Sequence, residues 1–319
     1  MLHLRIIVPS ERSGPVLGLL RRHEAVTNVL ALPGAALDPA GDLVMADVAR
    51  EAASAVLADL RALGLGRDGS VSAESVDLSM SRGARRAMAS APGHGSDAIV
   101  WEQVEAGTQE ESTLTATFAV FMVVATMLAG IGVLLDSPIL VIGAMVVGPE
   151  FGPLAGLCVA AVQRRTREAA RSAFALVVGF PLGILATVLS TWLLTAAGLV
   201  DESMLLGPRP LTEFIWKPDA LSFVVAFLAG VAGMLSLTAA KSGALVGVLI
   251  SVTTIPAAGN VAVALAYGDG AEAAGSLLQL VLNVSGIVLA GALTLVVQRV
   301  AWRRWGSRRR VGRGARAPR

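Results

Sequence analysis

The stretch that decides the fold is Asp136 to Gly156, DSPILVIGAMVVGPEFGPLAG. It begins as a membrane-spanning helix would, with an apolar run from Ile139 to Val147, and then becomes Gly148-Pro149-Glu150-Phe151-Gly152-Pro153. Each proline removes a backbone donor and each glycine loosens the helix. A carboxylate, Glu150, stands among them. In hydrocarbon an unpaired charge or an unmade backbone bond is costly, so such a segment has to face protein or a wet cavity. One reading is a packing kink in which Glu150 is neutral or paired with a neighbour. The other is a half-broken helix lining a solute or ion site. Acids inside membrane spans are rare and tend to mark function, so the second reading is the working expectation.

Working outward, composition supports a membrane setting. The 319 residues are 54% hydrophobic and 16% charged, with 34 glycines, and the mean hydropathy is +0.68. A soluble globule of this length would carry more charge and fewer long apolar runs. Six such runs follow one another, at about Leu114–Leu135, Pro138–Val162, Ala169–Ala197, Leu221–Ala240, Ser242–Tyr267 and Ala274–Val300. Each reaches the roughly 20 residues needed to cross hydrocarbon.

Charge sets the expected orientation. Arg82, Arg85, Arg86, then Arg164, Arg165, Arg167 and Arg171, then Lys241, and finally the nine arginines of residues 299 to 319 all fall on one side. Arg209 and Lys217, with Asp136, Asp201, Glu202, Glu213, Asp219, Asp269 and Glu272, fall on the other. The excess of basic residues places both termini in the cytoplasm of a multi-pass inner-membrane protein. Trp216 and Tyr267 suit the outer interfacial belt, Trp302 and Trp305 the inner one. The basic pI comes from the tail alone, so no nucleic-acid partner is expected; the lipid bilayer is. The N-terminus has no apolar segment of signal-peptide type.

Residues 1 to 81 read instead as a small soluble α+β domain. Strands are expected at Leu2 to Pro9, Val26 to Leu37, Leu43 to Ala49 and Val71 to Met80. Helices are expected at Ser13 to Glu24, with Ser13 as N-cap, and at Glu51 to Leu63, closed by Gly64 and Gly66. The order βαββαβ is the split, ferredoxin-like arrangement. About 80 residues make a marginal core, which leaves dimerisation (a homo-oligomer) or docking on the membrane part as ways to add stability. Residues 82 to 112 read as a linker with a short interfacial helix at Ala98 to Glu110, and residues 302 to 319 as a basic cytoplasmic tail. The transmembrane domain is then residues 113 to 301.

The membrane part carries an internal repeat. MLAGIGVLL (Met127 to Leu135) recurs as FLAGVAGML (Phe227 to Leu235), and EAARSAFALVVG (Glu168 to Gly179) as EAAGSLLQLVLN (Glu272 to Asn283). The spacing runs from 100 to 104 residues. Units of three spans, an odd number, must lie inverted, giving a 3+3 bundle. The broken second span then corresponds to KSGALVGVLISVTTIPAAGN (Lys241 to Asn260), in which Pro256, Gly259 and Asn260 are expected to interrupt the helix. Paired breaks in inverted halves point to a midplane binding site. The candidates there are Gly148, Pro149, Glu150, Gly152 and Pro153 from one half, and Thr253, Thr254, Pro256 and Asn260 from the other, with Gln279 and Asn283 from the last span. The alternative for the hydroxyl and amide groups is interhelical glue.

These residues also resemble a known family. Glu111-Ser112-Thr113 before the first span, AGIGVLLDSPILVIGAM, the Pro149/Pro153 pair, IPAAGN (Ile255 to Asn260) and LNVSGIVLAG (Leu282 to Gly291) are similar to the uncharacterised bacterial membrane family domain of unknown function 389. The resemblance covers about residues 100 to 300 and implies a fold without an established activity. Where members read closer to sPlmgPi and vPPlaaaG, this chain has GPEFGP and TIPAAGN; the acid at Glu150 and the missing second proline near Pro256 depart from the family pattern, so a site shared with the family is not implied.

The expected function is a secondary transporter or permeation pathway for a small solute or ion, regulated by the cytoplasmic domain. A membrane sensor or scaffold that transports nothing is the competing class. An enzyme is not expected, because no nucleophile–histidine pair and no metal-ligand cluster is visible, and neither a cofactor nor a metal is called for. His3, His23 and His94 are scattered, and Cys158 is the one cysteine, so no disulfide forms within the chain.

Overall fold

The computed structural model describes residues 1–76, 78–91, 98–217, 219–239 and 246–314, with 246–253 and 302–314 as backbone alone. The readings made on His94, on the junction from Ala240 to Ser242, on the side chains of Thr253, Trp302 and Trp305, and on the arginines beyond Arg299 lie outside what is described. The chain forms two compact units, one built on Met1–Gln103 and the other on Val104–Leu237 and Ser242–Val300.

The first unit is a small antiparallel sheet covered by helices. Its elements are β1 (Leu2–Val8), α1 (Ser13–Arg22), β2 (Val26–Leu37), β3 (Ala40–Val48), α2 (Arg50–Ala62), the short α3 (Leu65–Asp68) and β4 (Ser70–Ser75). The strands lie in the order β2-β3-β1-β4, every neighbour antiparallel. Alternation decides the buried face: Leu2, Leu4, Ile6 and Val8 of β1 point inward with Val44, Ala46 and Val48 of β3. They meet Val16 and Leu20 of α1 and Ala53, Val56 and Leu60 of α2. The β-α-β-β-α-β element order is the one the alternation implied.

Local details differ. Ser13 is the first residue of α1 and Arg12 precedes it; the Ser13 hydroxyl donates to Asp42 (2.5 Å) instead of capping. Asp42 also accepts from the Ser10 hydroxyl (2.8 Å) and the Gly34 N–H (2.9 Å), so one carboxylate of the β2–β3 region gathers three donors. β4 stops at Ser75, short of Met80. The segment read as a linker holds two helices, α4 (Arg82–Ser90), capped by Ser81, and α5 (Trp101–Glu111). Glu102, at the start of α5, accepts from Ser54 (2.7 Å) and Arg61 (3.0 Å).

The second unit is helical: α6 (Ala116–Leu134), α7 (Pro138–Val147), α8 (Phe151–Gln163), α9 (Thr166–Ala196), the short α10 (Glu202–Leu206), α11 (Ala220–Thr238), α12 (Val246–Tyr267) and α13 (Gly270–Gly314). Among the described residues four helices are long and apolar enough to cross a membrane: α6, α9, α11 and Gly270–Ala301 of α13. The pair α7–α8, bent by 55°, makes a fifth if it is one broken span. The described side chains of α12, Thr254–Tyr267, are apolar but shorter than a span. Six expected spans thus appear as four, one bent pair and α12. Only 28% (α11) to 50% (α6) of each long helix's apolar window is buried. Outward faces such as Phe174, Val177, Leu185 and Leu189 of α9 are too continuous for water and suit lipid.

One expectation fails here. α12 runs through Pro256, Gly259 and Asn260 without a break. Pro256 lacks a single N–H donor, and Gly259 marks a helix crossing. A Cβ at Gly259 would stand 2.6 Å from the Ala129 Cβ and 2.8 Å from the Gly130 nitrogen of α6. The small residue lets two backbones approach, as is usual between helices in lipid.

Candidate functional site

Only the first of the two expected breaks is formed. α7 starts with Pro138 in its first turn and Ser137 as N-cap, a combination suited to helix entry. It ends at Gly148, whose backbone is extended (φ −60°, ψ 127°). Pro149 cannot donate onward, and the chain re-enters a helix at Phe151, where the Glu150 carbonyl accepts from the Leu154 N–H (3.1 Å). Glu150 is fully buried, and its Oε1 accepts from the Thr254 hydroxyl of α12 at 2.8 Å.

Gly152 and Pro153 lie inside the first turn of α8, past the break. Gly152 allows close packing: a Cβ there would collide with Glu111, and its carbonyl accepts from the Ser112 hydroxyl (3.1 Å). Ser112 thus stands before α6, whose N-cap is Thr115, its hydroxyl accepting from the Phe118 N–H at 3.1 Å.

The sequence marks a second polar assembly only in part: Asn260, Gln279 and Asn283 are among its candidates, whereas Arg209, Glu272 and Ser276 are not. On α13, Glu272, Ser276, Gln279 and Asn283 stand at i, i+4, i+7 and i+11, which is one helix face. All four are buried. Asn260 of α12 donates to the Glu272 Oε1 (2.8 Å) and the Ser276 Oγ (2.7 Å). Arg209, expected in a solvated outer loop, is 8% exposed. Its Nη2 donates to both Glu272 oxygens (2.7 and 2.8 Å), and its Nη1 to the Asn260 Oδ1 (3.3 Å). Charge-assisted bonds of this kind are stronger than neutral ones.

Chain connectivity accounts for the pairing. Asp269 caps the Glu272 N–H (2.9 Å) at the start of α13, so Glu272 falls in the first helical turn. The segment bearing Arg209 is fastened by Asp136, which accepts from the Leu211 N–H (3.2 Å) and the Thr212 hydroxyl (2.9 Å). Gly275 leaves room for the Trp216 carbonyl. The regular spacing on α13 was the sequence signal for this face; nothing local marked Arg209 as its partner.

The two assemblies share α12. Thr254 lies six residues from Asn260, about 9 Å along the axis. Since Asn260 is level with Glu272 and Ser276, Thr254 falls near the level of Gln279 and Asn283 on the antiparallel α13. Buried polar groups thus make a polar column in two steps inside an apolar bundle, Arg209, Glu272 and Ser276 around Asn260 at one level and Glu150 with Thr254 at the other, on faces of α12 about 120° apart. The hydroxyls of Thr126, Thr187 and Thr191 bond back to carbonyls four residues earlier in their own helices and do not join it. The Gln279 Oε1 has no hydrogen-bond partner among the described residues. Among those residues no three of His, Cys, Asp and Glu could share a metal ion. A pocket of about 340 Å³ opens beside α5, α8 and α9, at Ser112, Gly156, Gln163 and Arg165, and no residue of the column lines it.

No curated protein and no solved structure matches the chain. One family model matches residues 145–289. That stretch contains the break, Arg209, Thr254, Asn260 and the polar face of α13. Over that stretch, which holds its polar residues, the chain is similar to the family Domain of unknown function (DUF389).

Proposed function

We propose that the protein is an integral protein of the cell's inner membrane that carries or admits a small solute or ion along this column, with both termini in the cytoplasm and the N-terminal unit in a regulatory role. The observation that carries the reading is the column itself. A bundle built only for packing has no need to bury Glu150, Thr254, Asn260, Arg209, Glu272 and Gln279 within it, since buried ionisable groups among membrane helices are costly.

The Glu150–Thr254 bond supports an inverted 3+3 arrangement of six spans. The two residues are 104 positions apart, within the repeat spacing of 100 to 104 read from the sequence. Residues equivalent in two inverted halves can touch each other only near the axis relating them, which is where transporters of this build hold their substrate. The kinked α7–α8 supplies loosened backbone at Gly148 and Pro149, and Glu150 supplies a group able to exchange a proton or a cation.

A second reading has its own observation. Arg209, Asn260, Glu272 and Ser276 bond mainly to one another, as structural glue in a scaffold or sensor would. The test is a thermal-shift screen of the purified protein against metabolites and ions, followed by liposome flux for each stabilising compound. Flux of at least one compound is expected. Stabilisation without any flux would favour the scaffold.

A further inference from the structure

The column has one end that is not a helix. Arg209 sits on the connection between α10 and the turn of 3-10 helix at Glu213–Ile215, yet its side chain is as buried as that of Glu272, each 6% exposed. The groups that face it from the helices are an acid and neutral polar residues, Glu272, Asn260 and Ser276, with Gln279 and Asn283 further along the same face of α13. Among the described residues, Arg209 is the cation of the column, and it is brought there by a connecting segment.

We propose that this segment, residues 199–217, is a lid over one end of the pathway and that Arg209 is its tethered cation, holding the place taken by a nitrogen cation of the solute when the lid opens. The inference rests on the transport reading above and adds a substrate class to it, small ammonium or guanidinium compounds. Three observations carry it. First, if Arg209 leaves, Glu272 stays buried without a counter-charge, an uncompensated state that another cation relieves. Second, the site is incompletely filled. The Arg209 Nε and the Gln279 Oε1 are buried and have no hydrogen-bond partner among the described residues, and the bare oxygen is an acceptor suited to an N–H donor. Third, apart from the bonds of Arg209, the side-chain hydrogen bonds that tie the segment to the helices among the described residues are those of Asp136 to Leu211 and Thr212, with Val200, Leu205 and Ile215 seating it on apolar residues of the bundle. Solute and Arg209 then compete for Glu272, and opening is driven by the solute's charge.

The test uses full-length protein in detergent, with methylguanidinium as the probe and sodium and potassium at equal ionic strength as comparisons. Arg209→Ala should melt below the wild type, and methylguanidinium should restore much of the loss. It should also bind Arg209→Ala about tenfold more tightly than the wild type, because the competing group is gone. In Arg209→Ala/Glu272→Gln the rescue should vanish. If Arg209→Ala does not fold, the wild-type lid is read directly. Leu205→Cys in a Cys158→Ser background, buried at 1% exposure, should react faster with a thiol probe when methylguanidinium is present. No rescue and no faster labelling would overturn the lid. Equal rescue by sodium and potassium would overturn the nitrogen-cation assignment. These are binding measurements, so a protein that transports nothing can still pass them, and flux without rescue would sink the lid alone.

Discussion

Glu150 accepts a hydrogen bond from the Thr254 hydroxyl, so the pair ties the kink of α7–α8 to α12. Thr254→Val keeps the shape of the side chain and removes the donor. Loss of a hydrogen bond to a buried carboxyl costs about 1–3 kcal/mol, and the variant's melting temperature in detergent should fall accordingly. An unchanged melting temperature would mean that Thr254 is not holding Glu150. In the N-terminal unit, Asp42 works by the same principle in water. The Ser13 hydroxyl first, then the Gly34 N–H and the Ser10 hydroxyl, hold its carboxyl below the ordinary value of 3.8. A depressed carboxyl adds stability above that value and loses it as pH falls through the lowered one. Asp42→Asn should therefore destabilise a fragment of residues 1–103 at pH 7 but converge with the wild type in acid, as read by urea unfolding at both pH values. A gap that does not narrow would point to shape rather than charge. Glu150 was legible from its sequence neighbours because proline, glycine and an acid in an apolar run have few peaceful explanations. Arg209 was not, because a cation between two spans looks the same whether it is solvated or folded inward.

Helices and strands were readable where their period was clean. β1 and β3 alternate, α1 and α2 are amphipathic, and all four appear within a few residues of their expected bounds. The failures come from residues that serve two purposes. Proline and glycine mark both breaks and crossings, and the sequence alone could not separate Gly148, which ends a helix, from Gly259, which lets α12 cross α6. That difference is testable. Gly259→Ala puts a methyl group 2.6 Å from the Ala129 Cβ, which overpacks the crossing and should cost about 1–3 kcal/mol. Gly143→Ala, on α7, meets nothing within 4 Å and should be neutral or stabilising by up to about 1 kcal/mol from helix propensity alone. Thermal melts of the two variants side by side give the comparison. Equal effects would mean that the crossing is not tight.

At the level of the whole molecule, the arginine asymmetry supports the proposed orientation with both termini in the cytoplasm. In intact cells a membrane-impermeant thiol probe should label a cysteine at Ser203 and miss one at Ser307; the opposite pattern would reverse the direction of the pathway. With that proposed orientation, Arg209 and Glu272 would lie toward the outer face and Glu150 at the kink of α7–α8. The column's chemistry turns on a carboxyl that either holds a proton or neutralises a cation, a choice set by desolvation against local charge. The most direct test is liposome uptake of a solute found by the thermal-shift screen, measured over a range of pH and cation concentration for the wild type and for Glu150→Gln, which keeps the shape and removes the titration. The account predicts that the wild type's uptake depends on pH or cation and that the folded, inserted variant loses this dependence. Uptake by Glu150→Gln at the wild-type rate and with the wild-type profile would contradict it.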